Sequence, residues 1–387
     1  MLDMQRKLLI TFIVGAFLAN VGWALYFTRS RIDLKVVMRS SYSELMLLIT
    51  AESFSGLLSL IWGYIGDRVS RRGMIKLGLL SVIPMMLLGY SSGSLLFITL
   101  AALANVLYSI AQPSVMALVV IEKEKSGRRL GVFNGVGSLG WAVGSLLMAY
   151  LSNTLGSSVV YLVSSLLMGL SLLVFLVNYP ASHIKREGSV RTFLRKLPFL
   201  AIGVSLAYIG IAGSSTILSI KLYYELGMSD TLFALFYGVL PSVLGASVDV
   251  MTGIFADKVG GVIVTLISMI SYAAIFPLLY MVTGILMGII WVIPIYPLFY
   301  LGVGKMYSDM ASPEYKATAM GAVSTTLSLG GMGAGLIGPL ADHFGQAFSV
   351  AVSAMLILLG ALVVLLSCRS KIDIPASSSS LHISLNT

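Results

Sequence analysis

The sequence predicts an all-α membrane protein with twelve transmembrane helices in two pseudo-symmetric six-helix bundles. Three observations predict this fold: the composition, the recurrence of apolar segments of membrane length, and an internal repeat about half the chain long. Of the 387 residues, 57% are hydrophobic and only 11% are charged, whereas a soluble domain carries about 25% charged residues. Because so little polar surface is available to face water, we expect the whole chain to be a membrane domain.

Apolar segments of about 20 residues, the length needed to cross the hydrocarbon layer, recur from end to end. The first follows Arg6 and Lys7 and superficially resembles a secretory signal peptide. Since many spans follow it and no clear small-residue cleavage site is present, we interpret it as a retained helix. The predicted helices are at 7–27, 43–65, 74–91, 96–120, 130–152, 157–178, 198–219, 231–255, 261–282, 284–303, 316–339 and 346–367.

The positions of lysine and arginine test this count, because cytoplasmic loops near helix ends collect positive charge. With the N-terminus in the cytoplasm, 20 of the 25 basic residues fall in cytoplasmic segments. The pattern therefore predicts a multi-pass protein of the cell membrane with both termini cytoplasmic. Four of the remaining basic residues cluster after the first helix, in what we interpret as a solvated external loop, with a vestibule that attracts anions as the alternative. They are Arg29, Arg31, Lys35 and Arg39.

The predicted domains are an N-terminal half at 1–180, a cytoplasmic linker at 181–197, a C-terminal half at 198–370 and a disordered cytoplasmic tail at 371–387. Within the linker, residues 191–196 form either an amphipathic surface helix or a solvated connector. Cys368 is the only cysteine and the three histidines are scattered, so we expect neither a disulfide nor a metal site. No nucleotide loop or catalytic triad is present, so we expect no enzyme and no cofactor. The basic residues show no aromatic-interleaved face for nucleic acid.

A short motif is repeated after the second and the eighth predicted helix: a glycine, three residues, an aspartate and then a basic residue. The two glycines are 190 positions apart (253 − 63), which indicates two halves of related sequence. The fifth and eleventh helices are both rich in glycine, which predicts close helix packing. The repeated positions are Gly63, Asp67 and Arg68 in the first half and Gly253, Asp257 and Lys258 in the second; the basic pair Arg71 and Arg72 follows only the first copy.

The motif resembles the signature of the major facilitator superfamily, Gly-x-x-x-Asp-Arg/Lys-x-Gly-Arg-Arg/Lys, although Ser70 replaces its second glycine. A carboxylate at a helix C-terminus needs a compensating partner. The resemblance implies that Asp67 finds one at the start of helix eleven, near Ser312, and latches the cytoplasmic side shut. By symmetry Asp257 faces the start of helix five, near Ser126. The alternative is that these charges only anchor and orient loops.

The resemblance further implies that helices one, four, seven and ten line a substrate cavity. The offsets on helix four place its three polar candidates on one face, although any tyrosine is equally consistent with a membrane-interface anchor. No lysine or arginine is expected in the middle of a span, which disfavours an anionic substrate. The cavity candidates are Asn20, Trp23, Asn105, Tyr108, Gln112, Tyr208, Trp291 and Tyr296.

Glu52 and Asp249 are the only acidic residues that we predict well inside spans. Buried ionisable groups in membranes are candidate functional sites, so we expect them to couple protons or cations or to bind a cationic substrate; the alternative is a neutral acid bonded to a neighbouring helix. The predicted function is a secondary active transporter, expected to be a monomer, which moves a small neutral, lipophilic or cationic solute by alternating access, in efflux or coupled to protons. A transporter-like sensor or scaffold without transport is the alternative.

Overall fold

A computed structural model of the chain describes residues 2–119, 126–178, 191–310 and 316–372. In this part the backbone forms helices joined by short turns, with no β-strand. Twelve of the helical segments are long and apolar enough to cross a membrane, so the predicted fold class and number of spans are confirmed. The tail at 373–387 that was predicted to be disordered lies outside the described residues.

The first half contains helices α1 to α6, several of which change helical type along their length. Helix α1 continues into a π-helical turn, and α3 includes two short 3₁₀ segments. The bounds are α1 Leu2–Ile32 with Asp33–Val37, α2 Tyr42–Leu57 with Ser59–Arg68, α3 Arg71–Gly78 continuing to Tyr90, α4 Ser94–Val119, α5 Ser126–Leu155 and α6 Ser157–Val177.

The second half contains helices α7 to α12 in the same order. Helix α8 includes a π-helical stretch, and α10 is interrupted beside Pro294, which has no amide hydrogen to donate to the helix ladder. The bounds are α7 Arg191–Glu225, α8 Asp230–Phe233 with Ala234–Val239 and Leu240–Val259, α9 Gly261–Met281, α10 Gly284–Trp291 with Tyr296–Met310, α11 Lys316–Gly333 continuing to Phe344, and α12 Gln346–Ile372.

The predicted boundaries differ from the structure mainly where charged residues extend a helix. Helix α1 runs on through Arg29 and Arg31, beyond its predicted end at residue 27. Helix α7 begins at Arg191 and passes through Pro198 without a break. Residues 191–197, assigned to the linker from sequence, therefore form the start of α7.

Three helix pairs turn back on themselves through a single glycine. Gly156 joins α5 to α6 with a φ of +88°, Gly260 joins α8 to α9 with a φ of +87°, and Gly345 joins α11 to α12 with a φ of +84°. Only glycine adopts this conformation readily. The sharp turns keep the paired helices antiparallel and adjacent, so the odd-numbered helices all run from one end of the bundle to the other. We call the end at which α1 finishes and α2 begins the far end, and the opposite one the signature end.

The two halves pack in the same pattern. Helix α1 packs on α5 and α6, and α7 packs on α11 and α12. The halves meet along α5 with α8 and along α2 with α11, two contacts that the internal repeat makes equivalent. Each half has its own apolar core, one centred on α1, α2, α4 and α6 and the other on α7, α9, α10 and α12.

The glycines of α5 and α11 lie at close helix contacts, as predicted. A Cβ atom at Gly144 would stand 2.5 Å from the carbonyl oxygen of Val21, and one at Gly338 would stand 2.7 Å from that of Tyr42. The first contact lies within the N-terminal half and the second joins the halves. Small residues thus allow helix backbones to approach closely both inside a bundle and between the bundles.

Candidate functional site

A cavity of about 600 Å³ lies where α5 of the first half faces α8, α9 and α10 of the second, with α1 and α7 contributing at its edge. The break in α10 places Trp291 and Tyr296 on its wall from two separate helical segments. Cavities of this size hold drug-sized ligands. Its wall is formed by both halves, so a solute held there contacts both.

Asp249 provides the carboxylate of this cavity. Its side chain is buried, and its Oδ2 accepts a hydrogen bond from Ser138 Oγ at 3.2 Å. Ser138 Oγ also lies 3.0 Å from the hydroxyl of Tyr296. Among the described residues Asp249 forms no ion pair, and no lysine or arginine lines the cavity. A buried carboxylate without a cation carries a large desolvation cost, which a cationic ligand or a proton would relieve.

Aromatic rings cover much of the wall of the same cavity. Tyr237 lies 5.7 Å from Trp291 between ring centroids, and Trp141 stacks on Phe27 at 5.9 Å. Ring faces attract cations as well as apolar groups. The combination of one acid with several aromatic rings therefore suits a lipophilic molecule that carries a positive charge. The aromatic residues that line the cavity are Phe133, Trp141, Tyr237, Tyr272, Phe276, Trp291, Tyr296 and Tyr300.

The predicted cavity residues divide into two groups. Asn20, Trp291 and Tyr296 line the cavity, as does Asp249, which was predicted as a coupling residue. Tyr208 does not line the cavity but contacts a residue that does, because its hydroxyl lies 3.1 Å from that of the lining residue Tyr300.

The remaining candidates belong to the interior or the surface of the N-terminal half. Trp23 packs edge-on against Tyr108 at 5.1 Å, and Asn105 donates to the carbonyl oxygen of Ala101 in its own helix at 2.9 Å. Gln112 is exposed on the bundle surface. None of these α1 and α4 side chains is among the described residues that line the cavity.

Sequence reasoning missed the contribution of α5. Asn134, Ser138 and Trp141 all line the cavity, and their spacing of four and three residues places them on one helix face. This signal was present in the sequence, but we considered α5 only for its glycines. The contribution of Tyr272 from α9 had no comparable signal, since a single tyrosine in an apolar span is equally consistent with packing.

Glu52 lies elsewhere, in a buried cluster between α1 and α2. Arg31 binds it with both terminal nitrogens, at 2.8 Å to Oε1 and 2.5 Å to Oε2, and the hydroxyl of Tyr26 donates to Oε1 at 2.5 Å. The Glu52 carboxylate is thus already neutralised by a cation. Its predicted role in coupling remains a prediction, but unlike Asp249 it does not line the cavity.

The prediction of a solvated external loop containing Arg29, Arg31, Lys35 and Arg39 is wrong for its first three members. Arg29 and Arg31 lie in α1 with side chains only 10% and 11% exposed, and Lys35 lies in the π-helical turn with its ammonium over the ring of Tyr42. Each arginine pairs with a carboxylate on another helix. Those pairs allow α1 to continue where the charge pattern alone predicts a loop.

The repeated motif lies at the signature end of the bundle. Ser70, which replaces the family glycine, caps α3 by accepting a hydrogen bond from the Gly73 amide at 3.0 Å. In the second half Asp257 pairs with Lys305 of α10 at 3.2 Å, a partner in its own half that was not predicted. The side chains of Asp67 and Arg68, and residue Ser312, lie outside the described residues, so the latch between the halves remains a prediction.

The remaining motif residues are placed as follows. Gly63 faces Pro113 of α4, and a Cβ atom there would meet the proline ring at 3.5 Å. Gly253 has open space beside it, and Lys258 is exposed. Arg71 is half-buried and Arg72 exposed in the first turn of α3. The first-half motif thus packs more closely on its neighbours than the second.

Comparison with known protein families gives one match. The profile described as Major Facilitator Superfamily matches residues 8–335. A search of curated proteins finds no match.

Solved structures with the same fold are numerous, and three illustrate the range. The human organic anion transporter MFSD10 (TETRAN) is 15% identical, covering 93% of this chain and 99% of its own, with a TM-score of 0.68. The nucleoside transporter NupG is 13% identical, covering 94% and 98%, with a TM-score of 0.69. A bacterial homologue of the human lysosomal transporter Spinster, solved inward-facing and unoccupied, is 13% identical, covering 96% and 99%, with a TM-score of 0.71.

Proposed function

Because the chain belongs to the major facilitator superfamily and is a membrane transporter rather than an enzyme, we propose that it carries a small lipophilic cation by alternating access and binds it at Asp249. The observation that carries this proposal is the buried carboxylate of Asp249, which faces an aromatic cavity and has no ion-pair partner among the described residues. The position of the cavity between the halves supports alternating access, since rocking of one half against the other exposes a fixed site to each side in turn.

The chemistry of the wall favours a cation over an anion. The organic anion carried by MFSD10 and the nucleoside carried by NupG are substrates of proteins too distant to transfer. A bound carboxylate or phosphate would face Asp249 without a lysine or arginine among the described lining residues to balance it. A cationic solute instead gains an ion pair with Asp249 and contacts with the rings of Trp291 and Tyr237.

Ser138 gives the site a second property that the proposal uses. This serine belongs to α5 of the first half, whereas Asp249 and Tyr296 belong to the second half, and it bonds to both. A cation or proton on the carboxylate changes that bond and hence one contact between the halves. The same geometry supports proton coupling, in which proton and solute occupy Asp249 in turn.

Thermal unfolding with a matched ligand pair tests the proposal. Tetraphenylphosphonium is a lipophilic cation, and triphenylphosphine oxide is its neutral counterpart of similar rings. A ligand that binds only the folded protein stabilises it by about 2.7 kcal/mol at 100 times its Kd. We expect the cation to raise the Tm of the native protein but not that of Asp249→Asn. The neutral compound should change the Tm of both proteins equally.

The control variant is Asp309→Asn, which removes a carboxylate that pairs with Lys305 outside the cavity. It should keep the cation response. An equal response of native protein and Asp249→Asn would reject the site. Uptake into sealed vesicles then separates a carrier from a transporter-like sensor. Because tetraphenylphosphonium also crosses bilayers unaided, the measured quantity is the initial uptake rate, which a carrier raises above that of Asp249→Asn vesicles and a sensor leaves equal to it.

We also propose that both termini and the segment between Pro180 and Pro198 are cytoplasmic in the cell membrane, on the charge distribution of the sequence. Single cysteines introduced in that segment, in a background that lacks Cys368, should react with an impermeant thiol reagent only after the cells are opened. Labelling in intact cells would contradict this orientation.

A further inference from the structure

A buried ionic cluster joins the two halves at the far end of the bundle. Arg29 of α1 lies between two carboxylates, with 2.6 Å from Nη2 to Asp33 Oδ1 and 2.9 Å from Nη1 to Asp230 Oδ2. The three side chains are only 10%, 6% and 9% exposed. Such a cluster contains two negative charges and one positive charge in an environment nearly without water.

Three hydroxyl groups complete the cluster. Ser152 of α5 donates to Asp230 Oδ2 at 2.5 Å and accepts from Arg29 at 2.7 Å. Tyr161 of α6 donates to Asp33 at 2.7 Å, and Tyr223 of α7 donates to Asp230 Oδ1 at 2.9 Å.

These partners divide cleanly between the halves. Arg29, Asp33, Ser152 and Tyr161 all belong to the N-terminal half, while Asp230 belongs to the C-terminal half. Tyr223, which donates to Asp230, is also in the C-terminal half. The only bonds of the cluster that cross between the halves are therefore those from Arg29 and Ser152 to Asp230.

We propose that Asp230 holds the two halves together at the far end and that it exchanges hydrogen-bond and ion-pair partners during transport. When the end is closed it binds Arg29 and Ser152; when the end opens it keeps only Tyr223, while Arg29 keeps Asp33. The inference concerns the movement of the halves and holds for any solute, so it does not depend on the cation proposed for Asp249.

The physical reason is the cost of an unpaired buried charge. Removing one partner of a buried ion pair is strongly unfavourable, because the charge that remains is neither solvated nor balanced. A simple pair across the halves would therefore resist opening. Here Arg29 retains a carboxylate, and Asp230 retains a hydroxyl and gains water at the opened surface, so the closed and open arrangements stay close enough in free energy to interconvert.

Two isosteric variants test the exchange because they have opposite expected effects. Asp230→Asn removes the charge that crosses between the halves and preserves the volume and the bond from Tyr223. Asp33→Asn removes the competitor within the N-terminal half, which leaves Arg29 with Asp230 as its only carboxylate in the cluster. The first should favour the open far end and the second the closed one.

The measurement is a distance distribution between spin labels at Leu155 and Met281. These exposed positions end α5 in the first half and α9 in the second. Cys368 is replaced by serine so that only the two introduced cysteines are labelled. We expect Asp230→Asn to raise the ratio of long to short distances about tenfold, the change that corresponds to about 1.4 kcal/mol, and Asp33→Asn to lower it. A merely structural cluster would respond to both in the same direction.

The inference is overturned if Asp230→Asn keeps the native distance distribution. It is also overturned if Asp33→Asn raises the ratio of long to short distances as much as Asp230→Asn does. Where Asp230→Asn does not fold, Ser152→Ala decides, because it removes the bond to Asp230 and the one from Arg29 without changing any charge. It should shift the distribution in the same direction by a smaller amount. A native distribution in that variant rejects the proposal, whatever substrate Asp249 binds.

Discussion

Asp342 makes a second contact across the far end, and its removal is the sharpest test of how the halves are held. The aspartate ends α11 in the C-terminal half and accepts hydrogen bonds from the first turn of α2 in the N-terminal half. The Tyr42 amide donates at 2.9 Å, the Ser43 amide at 2.8 Å and the Ser43 hydroxyl at 2.5 Å. A carboxylate here is favoured by the positive end of the α2 dipole.

The magnitude of the effect follows from exposure. Asp342 is exposed, so the interaction belongs in the lower part of the known range, about 0.3 to 1 kcal/mol for exposed sites. Asp342→Asn keeps one acceptor oxygen and the side-chain volume but loses the charge. We expect a change of about 0.5 to 1 kcal/mol, which shifts the ratio of closed to open far ends about two- to fivefold.

Spin labels at Leu95 and Phe344 report this ratio. Both positions are exposed at the far end, on α4 of the first half and α11 of the second. The control is Glu44→Gln, which weakens the cap of the same helix from within its own half, since Glu44 accepts from the Ser41 amide at 2.9 Å. It should lower Tm without lengthening the distance.

The reasoning fails if Asp342→Asn leaves the distribution unchanged, or if Glu44→Gln lengthens the distance equally. The first result would mean that the contact contributes nothing to closure. The second would mean that any loss of α2 stability opens the far end, and the contact between the halves would then have no specific role.

Three further predictions address the rest of the bundle. Asp67→Asn is expected to weaken closure at the signature end severalfold with little loss of folding, as read by label distances there; an unchanged distribution rejects the latch. Glu52→Gln leaves Arg31 without its carboxylate and should lower the free energy of unfolding by about 3–5 kcal/mol. The double variant Arg31→Met/Glu52→Leu should unfold near the native Tm. A Glu52→Gln variant as stable as the native protein would contradict the prediction. Gly360→Ala should destabilise by about 1–3 kcal/mol through overpacking, because its Cβ would meet the backbone of α7. Gly304→Ala, with open space beside it, is the control and should not lower Tm, because alanine is favoured over glycine inside a helix.

The number and order of the helices were predictable because the membrane imposes both. Each span needs about 20 apolar residues, and the alternation of basic residues fixes an even count. The repeated Gly63 and Gly253 motifs then locate the boundary between equivalent halves, which matches the packing of α2 on α11 and of α5 on α8.

The end of α1 was not predictable in the same way. Arg29 and Arg31 break the apolar run, and a charge pattern interprets such residues as a loop. Their partners are far along the chain, with Glu52 on the next helix and Asp230 in the other half. Sequence order does not reveal that these charges meet, so the helix was ended too early.

The cavity was predicted in part, for a similar reason. Asn20, Trp291 and Tyr296 were chosen from helices that the family resemblance implies as cavity walls, and they line it. The polar stripe of α4 was also a sound helical pattern, but Asn105 is satisfied by its own helix and Tyr108 packs on Trp23. Periodicity identifies a shared face and does not say what that face contacts.

The Arg31–Glu52 pair has a consequence for how the protein is made. Glu52 lies well inside a span, where an acidic residue costs about 2.5 to 3.5 kcal/mol on insertion. Its partner precedes it in the chain by 21 residues, so α1 has already left the ribosome when α2 follows. We therefore expect the two helices to enter the membrane as a pair, with Arg31 offsetting the insertion cost of Glu52. Asp230, by contrast, is synthesised with the second half, so its bonds to Arg29 and Ser152 form only after the N-terminal half has been made.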